Sequence, residues 1–481
     1  MGSYFYELPT TGAISFADFC HDDTTSYVSF IAETTEARAN LRATLKESKR
    51  SDGEKDNLKL VKVLDDYIPK LCGILACVKS GELTLKYEPT ELAFTLLTYG
   101  IALSNLARAA VVSLRSYEFE HAISDADRKA KDERIGFAVT LLCKASGIYE
   151  HIAKEVIPAW DDARQRAAAS GTPCPNPPEF SREVLIGLSK MALADAQTLA
   201  VRKLLSRAAY DSTLSPGPPL PKSHPSPALV AKLHLECVSL CSSARALVKT
   251  PGSRPSAQQS QSNSRSKFKL SLGRGKDIDR NAPAQVDQGE SHEVVPELRR
   301  YLADETAYHN AMAHKWLGVD AGENGGTSKG GIAVGFLVWA NSELEELKSG
   351  SLSQGGVAAI GFTDRERDIR ESRKAKVIME LERTDTFLKG YKRLNDTVAF
   401  QTVPSQSELQ ASIPAGRSAV AQKSYLRPTP EFGPGSVEHT RRQVEELELL
   451  QSSATAGTDD TPQSIDSGRS EGTYAGAGSY F

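Results

Sequence analysis

Apolar side chains recur along this chain in steps of three, four and seven. Between 130 and 157 they fall at Ile135, Val139, Leu142, Tyr149, Ile152 and Val156, all on one face of a helix. The same pattern predicts helices over roughly 24–50, 55–80, 88–120, 179–210, 226–249, 292–322, 331–348 and 364–396. Prolines punctuate it: Pro158 and the cluster at 171–178 end one helix, and the cluster at 215–227 ends another. Alternation of period two is confined to the first twenty residues, where Tyr4, Tyr6, Leu8, Ile14 and Phe16 suggest short strands. The chain is therefore expected to be all-α, with long helices returning through short polar loops and packing as antiparallel pairs side by side. No internal repeat marks a regular solenoid.

Two stretches break the pattern. Residues 250–291 are poor in apolar side chains and rich in Ser, Gln and basic groups, a composition that cannot offset its own ordering entropy. They read as a disordered insertion between two helices. From 405 the chain turns to Ser, Thr, Gly and Pro, which predicts a mostly disordered tail over 405–481 behind a helical domain at 4–404. Within that tail, 436–450 has an amphipathic pattern, and its narrow stripe of Val437, Val444 and Leu447 suits a partner better than independence.

Charge and chemistry narrow the function. The 58 basic and 61 acidic side chains of the 481 residues leave a net charge of −3, which argues against a dedicated nucleic-acid binder. No run of 18 uncharged apolar residues occurs, and the N-terminus lacks the basic and apolar regions of a signal peptide. Seven scattered cysteines then read as reduced thiols of a cytoplasmic protein. No metalloprotease, nucleophile-elbow or paired Cys-x-x-Cys pattern is present. The glycine-rich stretch at 322–331 contains Lys329, but Gly330 follows it where a phosphate loop needs Ser or Thr, so it reads as a turn between helices. His234, Cys237 and Cys241 share a helical face and are types zinc accepts, yet Leu233, Val238 and Leu240 surround them and no fourth ligand is near. They read as core residues, and no metal or cofactor is expected. The run from Arg254 to Lys276 holds six basic groups and no acid. It reads as a solvated, phosphorylatable linker or as a weak contact with an anionic membrane. These features describe a binding protein rather than an enzyme.

Several stretches carry a resemblance. Ala307 to Glu323 (AYHNAMAHKWLGVDAGE), Leu394 to Pro404 (LNDTVAFQTVP) and Leu193 to Leu205 (LADAQTLAVRKLL) resemble, in that order, motifs of the Bro-domain, or Alix-like, family. The segments YELPTTGAISFADF and GIAVGFLVWANSEL are similar to a fungal branch that serves the alkaline-pH response. The resemblance implies a curved helical domain with a tetratricopeptide-like core and short N-terminal strands. It also implies an adaptor that binds the C-terminal helix of the Snf-seven-type ESCRT-III subunit in an apolar groove. Such an adaptor supports proteolytic activation of the pathway's transcription factor, and is recruited from the cytoplasm to endosomal or plasma membrane. The family's groove aromatic falls at Ala200, so either Leu199 or Val201 covers the gap or the groove is shallower. The next helix supplies Leu229 and Leu233, with Lys232 beside them to meet an acidic residue. The alternative for both leucines is burial in the domain's own core. A helical-repeat scaffold in endosomal sorting with other partners is the second reading of function.

Overall fold

The computed structural model describes residues 4–23, 25–50, 56–85, 90–120, 123–169, 178–248, 296–353 and 364–455. Its α-helices are α1 (Val28–Arg50), α2 (Asn57–Ser80), α3 (Thr90–Val112), α4 (Asp125–His151), α5 (Ile157–Ala169), α6 (Arg182–Leu214), α7 (Pro227–Leu247), α8 (Pro296–Asn324), α9 (Gly330–Ser353), α10 (Asp364–Leu394), α11 (Gln406–Ala411) and α12 (Val437–Thr455). Apart from α5, each of α1 to α10 packs on its predecessor in sequence, with α6 taking its place directly against α4. The pairs run antiparallel: Gly187 of α6 meets Val248 at the end of α7, while Gln197 reaches the carbonyl of Leu233.

Local chemistry sets the helix ends. The Asp56 carboxylate accepts from Lys59 N at 2.8 Å, and Ser181 Oγ accepts from Val184 N at 3.2 Å, each satisfying an orphan donor of a first turn. Pro227 opens α7, where its missing N–H costs nothing. Pro158 does not stop its helix as its sequence suggests. A π-helical turn at Ile152–Val156 precedes it, and the helix continues through Pro158 as α5, the π-turn adjusting the hydrogen-bond register just ahead of the missing donor. The glycine-rich stretch forms the expected turn, a 3-10 segment at Gly326–Lys329 between α8 and α9.

The strand pattern is realised only in part. β1 (Cys20–His21) pairs antiparallel with β2 (Thr84–Leu85). Residues 4–15 form no strand, because a side chain takes the place of a neighbouring strand. Tyr6 N donates to Asn105 Oδ1 at 3.2 Å, and Asn105 Nδ2 donates back to Tyr6 O at 2.9 Å.

The helices enclose two main apolar cores. One is built by α1 to α4, the first half of α6 and the start of α8. The other joins the second half of α6 to α7, α8, α9 and α10 through Val201, Val230, Leu233, Trp316, Leu337 and Tyr391. Two helical stretches, Thr90–Phe119 and Arg182–Leu214, are long and apolar enough to cross a bilayer, but 67% and 72% of their apolar windows are buried within the protein. Their composition is that of core helices.

The expectation of a tail from 405 onward gives way here. Ser405 and Glu408 form a capping box that starts α11, and Leu409 of α11 is buried. Residues 412–436 then cross the helical body in the order α7, α6, α4, α2. Arg417 N donates to Lys232 O at 2.9 Å, Ala419 N to Gln197 Oε1 at 2.8 Å, Lys423 N to Cys143 O at 3.2 Å and Glu431 N to Pro69 O at 3.2 Å. Phe432 enters the first core, stacked on Phe30 at 4.6 Å. Composition misleads because an irregular segment can satisfy its backbone on helices it crosses, without a period of its own. The 436–450 prediction falls within α12. The predicted insertion at 250–291, with its basic run, lies outside the described residues.

Candidate partner-binding site

The face of α6 that meets this crossing segment carries Gln197, Ala200 and Leu204, spaced three and four apart. The corresponding face of α7 carries Leu229, Lys232 and Glu236. Gln197 fixes their relation: its Nε2 donates to Leu233 O at 3.3 Å and to Arg417 O at 2.9 Å. Gly416 lies on Glu236, where an added Cβ would come within 2.8 Å of the α7 backbone nitrogen. The crossing segment thus lies on Gln197, Glu236 and the carbonyl of Lys232. Leu204 is 37% exposed, and Leu229 and Lys232 are half-buried. On α4, Gly136 abuts Lys203 of α6, and the next residue, Phe137, is 52% exposed.

This strip of α4, α6 and α7 is apolar at Phe137, Ala200, Leu204 and Leu229 and basic at Lys203 and Lys232. Its chemistry suits an amphipathic helix with an acidic flank. The five residues nominated from sequence divide between surface and interior. Leu229 and Lys232 are half-buried, Leu229 packing its inner side on the second core. Leu199 is buried in the first core, and Val201 and Leu233 are buried in the second, where they support the strip from beneath. Sequence reasoning missed Phe137, Lys203 and Leu204. The signal for Leu204 was its spacing from Gln197; nothing in sequence joins Phe137 to them.

Behind the strip runs a polar seam between the two cores. Thr198 gives its hydroxyl proton to Ala194 O at 2.9 Å, so its oxygen accepts from His309 Nε2 at 3.0 Å. That tautomer leaves His309 Nδ1 as an acceptor for His234 Nδ1–H at 2.8 Å, and the remaining His234 Nε2 has no hydrogen-bond partner. Burial, and then Lys376, push His309 down to about 3, and burial likewise holds His234 well below its ordinary range, so both rings are neutral. Cys237 faces Thr198 at 3.7 Å, and burial pushes its thiol up to about 12. Cys241 packs with Ala194 and Leu240. His234, Cys237 and Cys241 are therefore each engaged within the fold. Among the described residues, no group of three or more His, Cys, Asp or Glu is placed to hold a metal ion.

Further along α8, His314 Nδ1 pairs with Glu343 at 2.8 Å while its ring stacks on Trp339 at 3.8 Å. Lys315 Nζ donates to Glu380 at 2.6 Å, with both side chains almost wholly enclosed. The Tyr308, His309, Ala313 and His314 motif thus ties α8 to α6, α7 and α9.

A helical stack with this seam and a strapped C-terminal segment defines the class: the chain belongs to the BRO1-like domain family, whose model matches residues 117–439. Over 514 residues, covering all of both chains, it is 34% identical to the pH-response regulator protein palC of Cryptococcus neoformans var. neoformans serotype D. Among solved structures it is similar to a Bro1 domain described for endosomal targeting, with a TM-score of 0.46 and 14% identity over 95% of this chain and 100% of that one. It is also similar to the ALIX BRO1 domain in complex with CHMP4C, with a TM-score of 0.49 and 13% identity over 90% of this chain and 99% of that one.

Proposed function

We propose that this protein is a non-catalytic adaptor of alkaline-pH signalling. It binds the C-terminal helix of the Snf-seven-type ESCRT-III subunit on the α4–α6–α7 strip and thereby supports proteolytic activation of the transcription factor PacC. The observation that carries the pathway is the 34% identity to a pH-response regulator over the whole of both chains. The binding mode is supported by the strip, which offers apolar anchors with lysines beside them, and by the ALIX BRO1 relative, which is a complex with CHMP4C. Leu204 and Leu229 take the apolar face of the helix, Lys203 and Lys232 its acids, and Leu199, Val201 and Leu233 hold the anchors in place. A cytoplasmic protein acting this way reaches endosomal or plasma membrane through its partner.

The test separates surface from core. Leu204→Asp and Leu229→Asp should each weaken binding of the subunit's C-terminal helix at least about tenfold, the equivalent of roughly 1.4 kcal/mol, with the melting temperature nearly unchanged in Leu204→Asp and lowered without unfolding in Leu229→Asp, whose side chain also packs on the second core. Leu233→Asp should instead unfold the second core, because Leu233 is only 3% exposed. Normal helix binding by both folded surface variants would refute the strip as the site.

A further inference from the structure

Apart from the apolar stripe of α12, an exposed apolar cluster lies at the turn after α10. Within ten residues Leu394 is 46% exposed, Val398 55%, Phe400 74% and Val403 52%. Single exposed apolar residues need no explanation, but four on one short turn do.

This turn is held rigidly. A π-helical turn at Asn395–Ala399 closes with Phe400 N donating to Asn395 O at 2.7 Å. Phe400 sits at φ 50°, a left-handed backbone that a bulky L-residue seldom adopts. The buried Asn395 side chain then clamps the next residue from both sides, accepting from Gln401 N at 3.1 Å and donating to Gln401 O at 2.9 Å. Gly331 of α9 lets the loop lie flat, for a Cβ there would stand 2.1 Å from Thr402 O. A buried clamp, a strained backbone and a close helix approach combine to hold a phenyl ring out in water.

The rim is basic. Lys392 and Arg393 are exposed immediately before the cluster, and exposed Lys329 stands on the adjoining turn between α8 and α9. Asp396 is the one acid among residues 392–403. Residues that line a peptide groove are half covered by its walls, and Phe400 at 74% exposure lines none. A protruding apolar tip with a cationic collar matches the boundary between acidic headgroups and acyl chains.

We propose that the Leu394–Val403 turn is an anchor for anionic membranes. Leu394, Val398 and Phe400 enter the interface, and Lys329, Lys392 and Arg393 meet the acidic headgroups. This assignment does not depend on the α4–α6–α7 strip.

The test is flotation of the full chain with phosphatidylcholine–phosphatidylserine vesicles and with phosphatidylcholine alone. The parent should float with the mixed vesicles and much less with the neutral ones. Phe400→Asn keeps a residue that accepts the left-handed backbone and should bind about tenfold more weakly. Lys392→Glu with Arg393→Glu should remove the preference for anionic vesicles. Phe400→Trp should bind like the parent and gain fluorescence quenching by brominated lipid chains beyond that of the parent. Failure of the parent to bind mixed vesicles overturns the proposal. So does undiminished binding by Phe400→Asn, which would move the contact to another segment, or absence of added quenching in Phe400→Trp. Phe400-dependent capture of an acidic amphipathic peptide without vesicle binding would overturn it in favour of a protein partner.

Discussion

Replacing Phe432 by Ala tests whether residues 412–436 belong to the fold. The ring is 3% exposed, stacks on Phe30 with planes 14° apart, and lies so close to Gly73 that a Cβ there would stand 2.7 Å from it. Removing a buried phenyl costs about 3–5 kcal/mol when the surroundings cannot collapse. Here the segment has another course: it can leave the body, and the loss is then capped by what docking was worth. Other anchors include the backbone bonds to Lys232, Cys143 and Pro69, the bonds that join the Gln197 side chain to the segment, Gln422 on Ser146 O, and the Lys70–Glu431 ion pair, whose exposed carboxylate makes it worth little. A loss of about 3 kcal/mol in docking raises the undocked population roughly a hundredfold. Trypsin reads that population directly, since Arg417 and Lys423 are exposed but held in backbone bonds to the helices. Cleavage after those residues, located by mass spectrometry, should accelerate by up to that factor in Phe432→Ala. Gly147→Ala should do the same from the middle of the segment, because its Cβ would fall 1.8 Å from Lys423 O. If neither variant changes the cleavage rate or the melting temperature, the segment contributes nothing and the argument fails.

Two further outcomes follow from the seam and from α8. Asp195 accepts from Tyr301 Oη at 2.7 Å, and loss of water around its carboxyl pushes it from 3.8 up to about 7. A raised acid pKa contributes stability that is complete below the ordinary value and lost as pH rises through about 7. The melting temperature of Asp195→Asn relative to the parent should therefore climb from about pH 4 to about pH 8, and a constant difference would refute the reasoning. For Glu380, burial opposes the charged form, but Lys315 and Arg383 outweigh it and hold the carboxyl at about 2. Glu380→Gln leaves Lys315 enclosed without its counter-charge and should cost about 3–5 kcal/mol in chemical denaturation at neutral pH. That contribution is present above the ordinary carboxyl range and fades as pH falls toward about 2, so the two proteins should converge in strong acid.

The helices were legible in the sequence because each buries one stripe, and a stripe leaves a period. Ile135, Leu142, Tyr149 and Ile152 are all buried as their spacing requires. The strap was not legible because its contacts have no period. Leu409 meets Gly335 of α9, Tyr425 meets His151 of α4, and Phe432 meets Phe30 of α1 and Gly73 of α2, at intervals set by the distances between helix axes rather than by the segment's own geometry. The early tyrosines misled for a related reason. Tyr6 is buried and alternates like a strand residue, but its backbone partner is the Asn105 side chain on α3, ninety-nine residues away.

Of the motifs that reveal the family, only Leu193 to Leu205 reaches the strip that suits a partner, through Ala200, Lys203 and Leu204. His309 is 1% exposed and His314 3%, and both serve to hold four helices in register. Asn395, from the closing motif, is likewise buried and clamps a loop. Such positions tolerate few replacements, because a buried polar group must find every partner it needs. A partner surface is under a different demand. Leu204 and Leu229 need only be apolar, accessible on one side and correctly spaced, and many side chains meet that requirement. The sequence therefore identifies the architecture in large part through buried polar residues such as His309, His314 and Asn395. The surface becomes visible only once the fold separates Leu229 from Leu233, four residues and one turn apart, into one residue at the surface and one in the core.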